Sequence, residues 1–382
     1  MSGWPNKFVI GLTGNIATGK SVVRKMLEHA GAFGIDADGL AHRAVQPDAP
    51  GYQPVMTAFG QYVLKENGEI DRAKLGQIVF SDPKALALLE SIVHPLVRQG
   101  VDHLVRRSKH RVIVIEAIKL LESPLREACD VIWVVTADEI HQLARLKQKR
   151  GLDVAEARRR MAAQTSQSEK VAAADTVIDN SGSIEQTWEQ VKSAWKKLFP
   201  QAAGDTVPTR LRGPVTRGLA SGLQVTRARP RQAEDIADFI SSSNGNRRLD
   251  SEQVMNAFGD KAYLLLQGPD GLKGLLGWKV ENLVARVDEI HLLAGLNMEE
   301  HLPFLVSEVE EASKELQCEI ALLFVSPKLA ALRDLWLSLG YEERLPKELS
   351  VGAWQEAAIE SYAEGTVMLF KQLRADRVLR PI

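Results

Sequence analysis

The stretch GLTGNIATGKS at residues 11–21 constrains the fold of this chain more than any other. Within it, residues 14–21 have the pattern G-x-x-x-x-G-K-S, after an apolar run at 7–12 and before helically spaced apolar residues from Lys20 onward. Glycines allow successive backbone N–H groups to converge on phosphate oxygens at a helix N-terminus. The context of strand, glycine-rich loop and helix therefore predicts a phosphate-binding P-loop.

The polar side chains of this loop have expected roles. Lys20 would reach the β- and γ-phosphates of a nucleotide as a point charge, and Ser21 would offer its hydroxyl to Mg²⁺. We therefore predict that the following residues bind the nucleotide: Gly14, Asn15, Ile16, Ala17, Thr18, Gly19, Lys20 and Ser21.

The rest of the first half has the pattern of an α/β domain. Apolar runs at 33–35, 112–115 and 131–135 alternate with helical patterns. This alternation favours a parallel sheet with helices on both faces, and ligands bind such sheets at the carboxyl ends of the strands.

Acidic residues fall at that predicted edge. Asp36 and Asp38 follow a strand, and Glu116 follows another. One aspartate could face an acceptor hydroxyl while the other has a structural partner. Alternatively, Asp38 could simply cap a helix that starts at Gly39.

A basic stretch at 141–160 suggests a lid. Two helical patterns meet in it at 151–153, and such a hairpin in a P-loop protein could close on the triphosphate and offset its charge. We expect most of its cations to be solvated and two or three to touch ligand: Arg145, Lys147, Lys149, Arg150, Arg158, Arg159 and Arg160.

Length and composition suggest two domains. The 382 residues exceed one ordinary core, and the Pro- and Gly-containing segment 200–222 has the character of a linker between domains at 1–199 and 223–382. A net charge of −1 gives no reason to expect nucleic acid or a membrane as partner. Without a signal peptide or a long apolar run, and with two distant cysteines expected to be free thiols, we expect a cytoplasmic protein.

The first ~200 residues resemble dephospho-coenzyme A kinase. The motifs that carry the resemblance recur in order: GLTGNIATGKS, GIDADGLAHRAVQP, FGQYVL, GEIDRAKLGQIVFSD, LESIVHPLV, HQLARL, RRRMAAQ and ADTVIDNSG. The resemblance implies ATP with Mg²⁺ as cofactors and dephospho-coenzyme A as substrate, whose ribose 3′-hydroxyl receives the γ-phosphate.

The resemblance also implies roles for single residues. Asp38 would accept or orient the hydroxyl proton with Asp36 as its companion, and Arg145 would join Lys20 in catalysis. His94, in the His-Pro pair that would begin a helix, would help to bind the acceptor, although a packing role is equally open. The lid and adenine end would be formed by Gln142, Arg145, Arg160, Asp179 and Asn180.

The chain departs from the family pattern in two places. Asn15 and Ala17 stand where the loop usually has small residues or glycine. Ile118 and Lys119 replace a proline and a leucine after the third strand. Lys119 could lie near a substrate phosphate or turn to solvent.

The second half is similar in element order, and in LWLSLGYEE, to a Gcn5-related N-acetyltransferase (GNAT) with a mixed sheet. The expected pyrophosphate loop has one glycine, Gly295, and Glu299 and Glu300 start the next helix, where carboxylates oppose an anion. We therefore favour a degenerate module that binds a protein or an acyl-coenzyme A, and keep an active acetyltransferase as the alternative.

Two other interpretations of the first half stay open. One is another small-molecule or nucleoside kinase of the same architecture. The other is a nucleotide-dependent switch without turnover, against which the acidic pair and the arginine lid argue, because a switch needs no acceptor site.

Overall fold

The structure is a computed structural model that describes residues 3–200, 222–243, 248–375 and 378. Described residues up to 197 form one compact unit, and those from 198 to 375 form a second. The predicted linker at 200–222 lies almost wholly outside the described residues, so its limits stay a prediction.

The first unit is a five-stranded parallel sheet with helices, as the sequence predicts. Its strands have the order β2-β3-β1-β4-β5, and each neighbouring pair is parallel. The elements in chain order are β1 (Phe8–Thr13), α1 (Lys20–His29), β2 (Phe33–Asp36), α2 (Ala37–Ala44), α3 (Tyr52–Phe59), α4 (Arg72–Ser81), α5 (Pro83–Arg107), β3 (Val112–Glu116), β4 (Val131–Thr136), α6 (Glu139–Arg150), α7 (Val154–Ala162), α8 (Gln167–Ala172), β5 (Thr176–Asp179) and α9 (Ile184–Leu198).

The central strands are continuous apolar runs because both faces of the sheet are covered. Val9, Ile10 and Leu12 of β1 are fully buried, as are Ile113 and Val114 of β3. This sheet fixes the carboxyl ends of β1, β2 and β3 side by side, and the loop that follows β1 leads directly into α1.

The second unit contains a mixed seven-stranded sheet of order β11-β12-β10-β9-β8-β7-β6. Only β9 and β10 pair in parallel among the described strands of this sheet. The elements are β6 (Gln224–Arg227), α10 (Ala233–Ser243), α11 (Ser251–Phe258), β7 (Ala262–Gly268), β8 (Gly271–Glu281), β9 (Val284–Leu292), α12 (Met298–Glu315), β10 (Ile320–Val325), α13 (Pro327–Ala330), α14 (Arg333–Ser338), β11 (Glu342–Glu343), α15 (Gly352–Ser361) and β12 (Val367–Gln372).

One helix of the second unit differs from the sequence prediction. The apolar spacing of residues 329–339 predicts a single helix, but the structure divides it into α13 and α14, because Leu332 leaves helical geometry at ψ 55°. The buried indole of Trp336 donates a hydrogen bond of 2.8 Å to the carbonyl of Leu329 across this break. The helix is thus interrupted where the Trp336 indole is buried in the core.

No helix in the described part of the chain combines the length and apolarity needed to cross a bilayer. Cys129 and Cys318 are both free thiols, as the sequence predicts.

Candidate active site

The loop between β1 and α1 has a backbone that favours glycine at two positions. Gly14 has φ 150° and Gly19 has φ 92°. A Cβ on Gly14 would collide with the carbonyl oxygen of Val135, and one on Gly19 with the side-chain amide of Asn180. Ala17 also has a positive φ, 60°, so this departure from the family pattern holds an alanine in a left-handed conformation, at a cost of about 1 kcal/mol.

The carbonyl oxygens of this loop accept hydrogen bonds from outside it. Arg145 on α6 donates from Nη1 to the carbonyls of Ala17 and Thr18 at 3.1 and 3.2 Å, and from Nη2 to that of Asn180 at 2.7 Å. The Asn180 amide donates to the Thr18 carbonyl at 2.8 Å. These contacts bring predicted residues from α6 and from the end of β5 to the predicted loop.

Lys20 and Ser21 begin α1. The Lys20 ammonium is buried and donates to the Asn15 carbonyl at 3.2 Å, whereas Ser21 is exposed. The sequence-based roles require this arrangement: a charge held against the loop and a hydroxyl open to a ligand.

The two aspartates after β2 have different structural roles. Asp36 is the N-cap of α2, and its Oδ1 accepts from the Gly39 N–H at 2.8 Å. The alternative that Asp38 caps a helix beginning at Gly39 is therefore wrong. Asp38 lies in the first turn of α2, and its Oδ2 instead accepts from the Ile118 N–H at 3.0 Å.

The environment of Asp38 shifts its proton affinity. Burial, with the neighbouring Asp36 carboxylate, raises the pKa of Asp38 to about 6. The Ile118 N–H and the Lys20 ammonium oppose this rise, while Glu116 adds to it. Lys20 is thus close enough to Asp38 for electrostatic interaction, and both lie at the carboxyl edge of the sheet. A carboxylate with a pKa near neutrality beside a buried cation suits proton transfer.

A buried ion-pair network includes Glu116, the last residue of β3, at the carboxyl edge of the sheet. Arg24 donates from Nε to Glu116 at 2.7 Å and from Nη1 to Glu28 at 2.6 Å, and all three side chains are buried. Burial would lower the pKa of Arg24, but the carboxylates of Glu28, Glu116 and Asp36 raise it above its ordinary value. Burial would likewise raise the pKa of Glu28, but Lys25 and Arg24 lower it to about 2.

Replacing Arg24 with methionine is expected to destabilise the first unit by about 3–5 kcal/mol, because the buried Glu116 carboxylate loses this partner and Glu28 is left with Lys25. Urea unfolding of the variant measures the loss. The double variant Arg24→Met/Glu116→Gln should recover part of it, since one uncompensated charge is then removed. Equal stabilities for Arg24→Met and the parent would contradict the network.

His94 and Lys119, which are both predicted to bind the acceptor, lie in a long helix and at the surface, respectively. His94 and Pro95 lie inside α5, which begins at Pro83 after its Asp82 N-cap, so the expectation that they begin a helix is wrong. Lys119 is 51% exposed and pairs with Glu90 of α5 at 2.9 Å. Lys119 thus faces solvent, and its proposed position near a substrate phosphate stays a prediction.

The lid consists of α6 and α7, which are separated at 151–153 as predicted. It packs on the loop through Ile16, Leu146 and Ala157. Gln142 is buried and donates to the Ala137 carbonyl at 2.7 Å. Arg160 is exposed and pairs with Glu156 within α7 at 2.7 Å, so its predicted contact with nucleotide stays a prediction.

Asp179 ends β5 and Asn180 follows it, but only Asn180 faces the loop. Asn180 is buried, and its Oδ1 accepts from the Thr187 hydroxyl at 2.9 Å. Asp179 is exposed, and its Oδ1 accepts from the N–H and hydroxyl of Ser181 at 3.0 and 2.7 Å. Its role at the adenine end therefore stays a prediction.

Sequence reasoning missed two side chains near the site. Gln164 accepts from the Ile16 N–H at 2.8 Å. Lys170, on the short α8, is 1% exposed. Its neighbours Ser168, Glu169 and Val171 are exposed, so no apolar periodicity indicates that this lysine points inward.

The donor set bears on whether Mg²⁺ suits this site. The described residues contain no group of three or more His, Cys, Asp or Glu side chains that could hold a metal. Mg²⁺ bound with a nucleotide needs only one or two protein ligands, because phosphates and water supply the rest. The exposed Ser21 hydroxyl next to the buried Lys20 fits that requirement.

In the second unit, the start of α12 is capped by the protein itself. Asn297 Oδ1 accepts from the N–H groups of Glu299 and Glu300 at 3.2 and 3.4 Å. Two N–H groups that could bind an anion are thus engaged, and two carboxylates stand beside them.

Comparison with known proteins assigns the first unit. The family model for dephospho-CoA kinase matches residues 8–186. The dephospho-CoA kinase of Geobacter sulfurreducens is 41% identical over 195 residues, covering 50% of this chain and 99% of that relative. The dephospho-CoA kinase of Symbiobacterium thermophilum is 43% identical over 200 residues, covering 52% of this chain and 84% of the relative.

Among solved structures, the second unit is similar to an acetyltransferase of the GNAT family from Staphylococcus aureus Mu50. The two have 13% sequence identity and a TM-score of 0.32, and the match covers 40% of this chain and 99% of that one.

Proposed function

Since the chain belongs to the dephospho-CoA kinase family, we propose that its first unit transfers the γ-phosphoryl group of ATP to the ribose 3′-hydroxyl of dephospho-coenzyme A. This kinase reaction would complete coenzyme A synthesis. The observation that carries the proposal is that Asp38 is connected through Ile118 to Thr13, which ends β1 just before the Lys20 loop: Asp38 accepts from the Ile118 N–H at 3.0 Å, and the Ile118 carbonyl accepts from the Thr13 hydroxyl at 3.1 Å. A phosphate-binding cation and a carboxylate of raised pKa at one edge support transfer between a nucleotide and a hydroxyl.

The proposed step needs positioning and charge stabilisation more than covalent chemistry. Asp38 orients the 3′-hydroxyl and takes its proton as the oxygen bonds to the γ-phosphorus, while the bond from that phosphorus to the bridging oxygen of ADP breaks. Lys20 offsets negative charge on the transferring group. Arg145 holds the loop and adds a cation beside it. Ser21 would hold Mg²⁺, which when bound neutralises charge on the phosphates.

An acceptor panel tests the substrate. Coupled ADP release should be fast with dephospho-coenzyme A and slow with adenosine or nucleoside monophosphates, and mass spectrometry should identify coenzyme A as product. Faster ADP release with adenosine or a nucleoside monophosphate would favour another small-molecule kinase. ATP binding without ADP release on any acceptor would favour a switch.

For the second unit, we propose a binding or interaction module without acetyl transfer. The capped and carboxylate-flanked start of α12 supports this choice, because it disfavours a pyrophosphate. Calorimetric titration of the full chain and of residues 1–199 with acetyl-coenzyme A tests it. An additional tight site in the full chain, with acetylation of an amine, would restore the bifunctional alternative. Action in the cytoplasm stays the prediction made from the sequence.

A further inference from the structure

A buried cation near the proposed site has no part in the mechanism so far. Lys170 on α8 is 1% exposed, and its ammonium donates to the carbonyl oxygen of Ile118 at 2.8 Å. Burial lowers the pKa of Lys170, while Glu122 and Asp38 oppose that change and Lys20 adds to it. Lys170 therefore lies within electrostatic range of both groups that the proposed reaction uses.

The two polar backbone groups of Ile118 connect Lys170 to Asp38. The carbonyl oxygen accepts from Lys170 and also from the Thr13 hydroxyl at 3.1 Å. The N–H donates to Asp38 Oδ2 at 3.0 Å. A proline at this position could not make the second bond, because it lacks an N–H.

The segment that carries Lys170 also contacts the phosphate-binding loop. Gln164 accepts from the Ile16 N–H at 2.8 Å, and the Thr165 hydroxyl donates to Glu122. The segment 164–170 therefore contacts the loop at one end and Ile118 at the other. These two contacts fix the position of Lys170 relative to the phosphate-binding loop.

We propose that Lys170 is a positioning residue for phosphoryl transfer, which holds Ile118 so that its N–H fixes the orientation of the Asp38 carboxylate. The inference rests on the proposed function. Lys170 acts through Ile118, because its ammonium donates to the Ile118 carbonyl. The groups that face Asp38 are then the carboxylates of Asp36 and Glu116, the cations of Lys20 and Lys170, and the Ile118 N–H.

The test compares Lys170→Met with Lys170→Arg at several pH values. Lys170→Met should lower kcat by about 10–100-fold, because a small misplacement of a reacting group is costly, with less than a two-fold change in KM for ATP. The acidic limb of its pH–kcat profile should also move to higher pH. The variant lacks the Lys170 cation and holds the Ile118 N–H less firmly, and because both lower the pKa of Asp38, that pKa should rise. Lys170→Arg, which keeps a cation and a donor, should restore the profile at least in part.

A second pair of variants isolates the hydrogen bond to Asp38. Ile118→Pro removes the N–H, together with the isoleucine side chain and the freedom of φ, and should move the acidic limb in the same direction, whereas Ile118→Val keeps the N–H and should not. A fall in kcat for Lys170→Met without movement of the acidic limb would reduce Lys170 to a structural residue and overturn the inference. Should Lys170→Met fail to fold, an unmoved limb in Ile118→Pro would overturn it instead.

The parent enzyme distinguishes this inference from the proposed function. If the parent does not phosphorylate dephospho-coenzyme A, the proposed function fails. If the parent does so and the variants leave its pH profile unchanged, only the role of Lys170 fails.

Discussion

Replacing Lys20 with methionine should lower the turnover of phosphate transfer by about 10³-fold while the protein stays folded. Methionine fills the space of the lysine stem but carries no charge, so the transferring phosphoryl group would lose the cation that the proposed mechanism places beside it. Circular dichroism and an ADP-release assay with dephospho-coenzyme A measure the two parts of this prediction.

The matched control is Lys65→Met, because Lys65 is an exposed lysine paired with Glu69 at 3.0 Å. This variant should have parental turnover and stability. Turnover of Lys20→Met within ten-fold of the parent would count against the loop as the site of transfer.

Replacing Asp38 with asparagine should reduce kcat by about 10²–10⁴-fold, the range that a general base contributes. Because the pKa of Asp38 is about 6, the parent should lose activity as the pH falls through about 6, where its carboxylate becomes protonated. The residual activity of the variant should not fall in this way as the pH is lowered through about 6. A pH–rate series on both proteins measures it.

The same substitution should raise stability above pH 6. Burial raises the pKa of Asp38, so the ionised carboxylate destabilises the folded state at high pH, and this cost disappears as the pH falls through about 6 toward the ordinary value of 3.8. Asparagine is never charged, so its Tm advantage should be largest at pH 8 and smallest at pH 4. Asp270→Asn, in an exposed turn, is the control. A lower Tm for Asp38→Asn at pH 8 would mean that Asp38 is structural.

The sequence predicts the parts of the site that depend on local pattern. The start of α1 and the break between the lid helices follow from apolar spacing and from glycine positions. The parallel sheet follows from the alternation of strands and helices. Lys20 and Asp38 are predicted because their motif and strand-end positions are themselves chemical signals.

What the sequence does not predict depends on tertiary contacts. The direction of Asp36 and Asp38 depends on where α2 begins, and that helix follows β2 without a loop. His94 lies within a long helix although a proline follows it. Lys170 is buried although its segment is polar, because it donates to the Ile118 carbonyl and interacts electrostatically with Glu122, both from another part of the chain. No spacing rule within the segment contains this information.

The binding loop between β1 and α1 has a consequence for which ions it can hold. The carbonyl oxygens of Asn15, Ala17 and Thr18 each accept a hydrogen bond from a side chain, and that of Gly19 accepts from the first turn of α1. The negative ends of these peptide dipoles are thereby neutralised. An approaching cation would therefore find these four carbonyl oxygens already paired, which suits the loop to anions rather than cations.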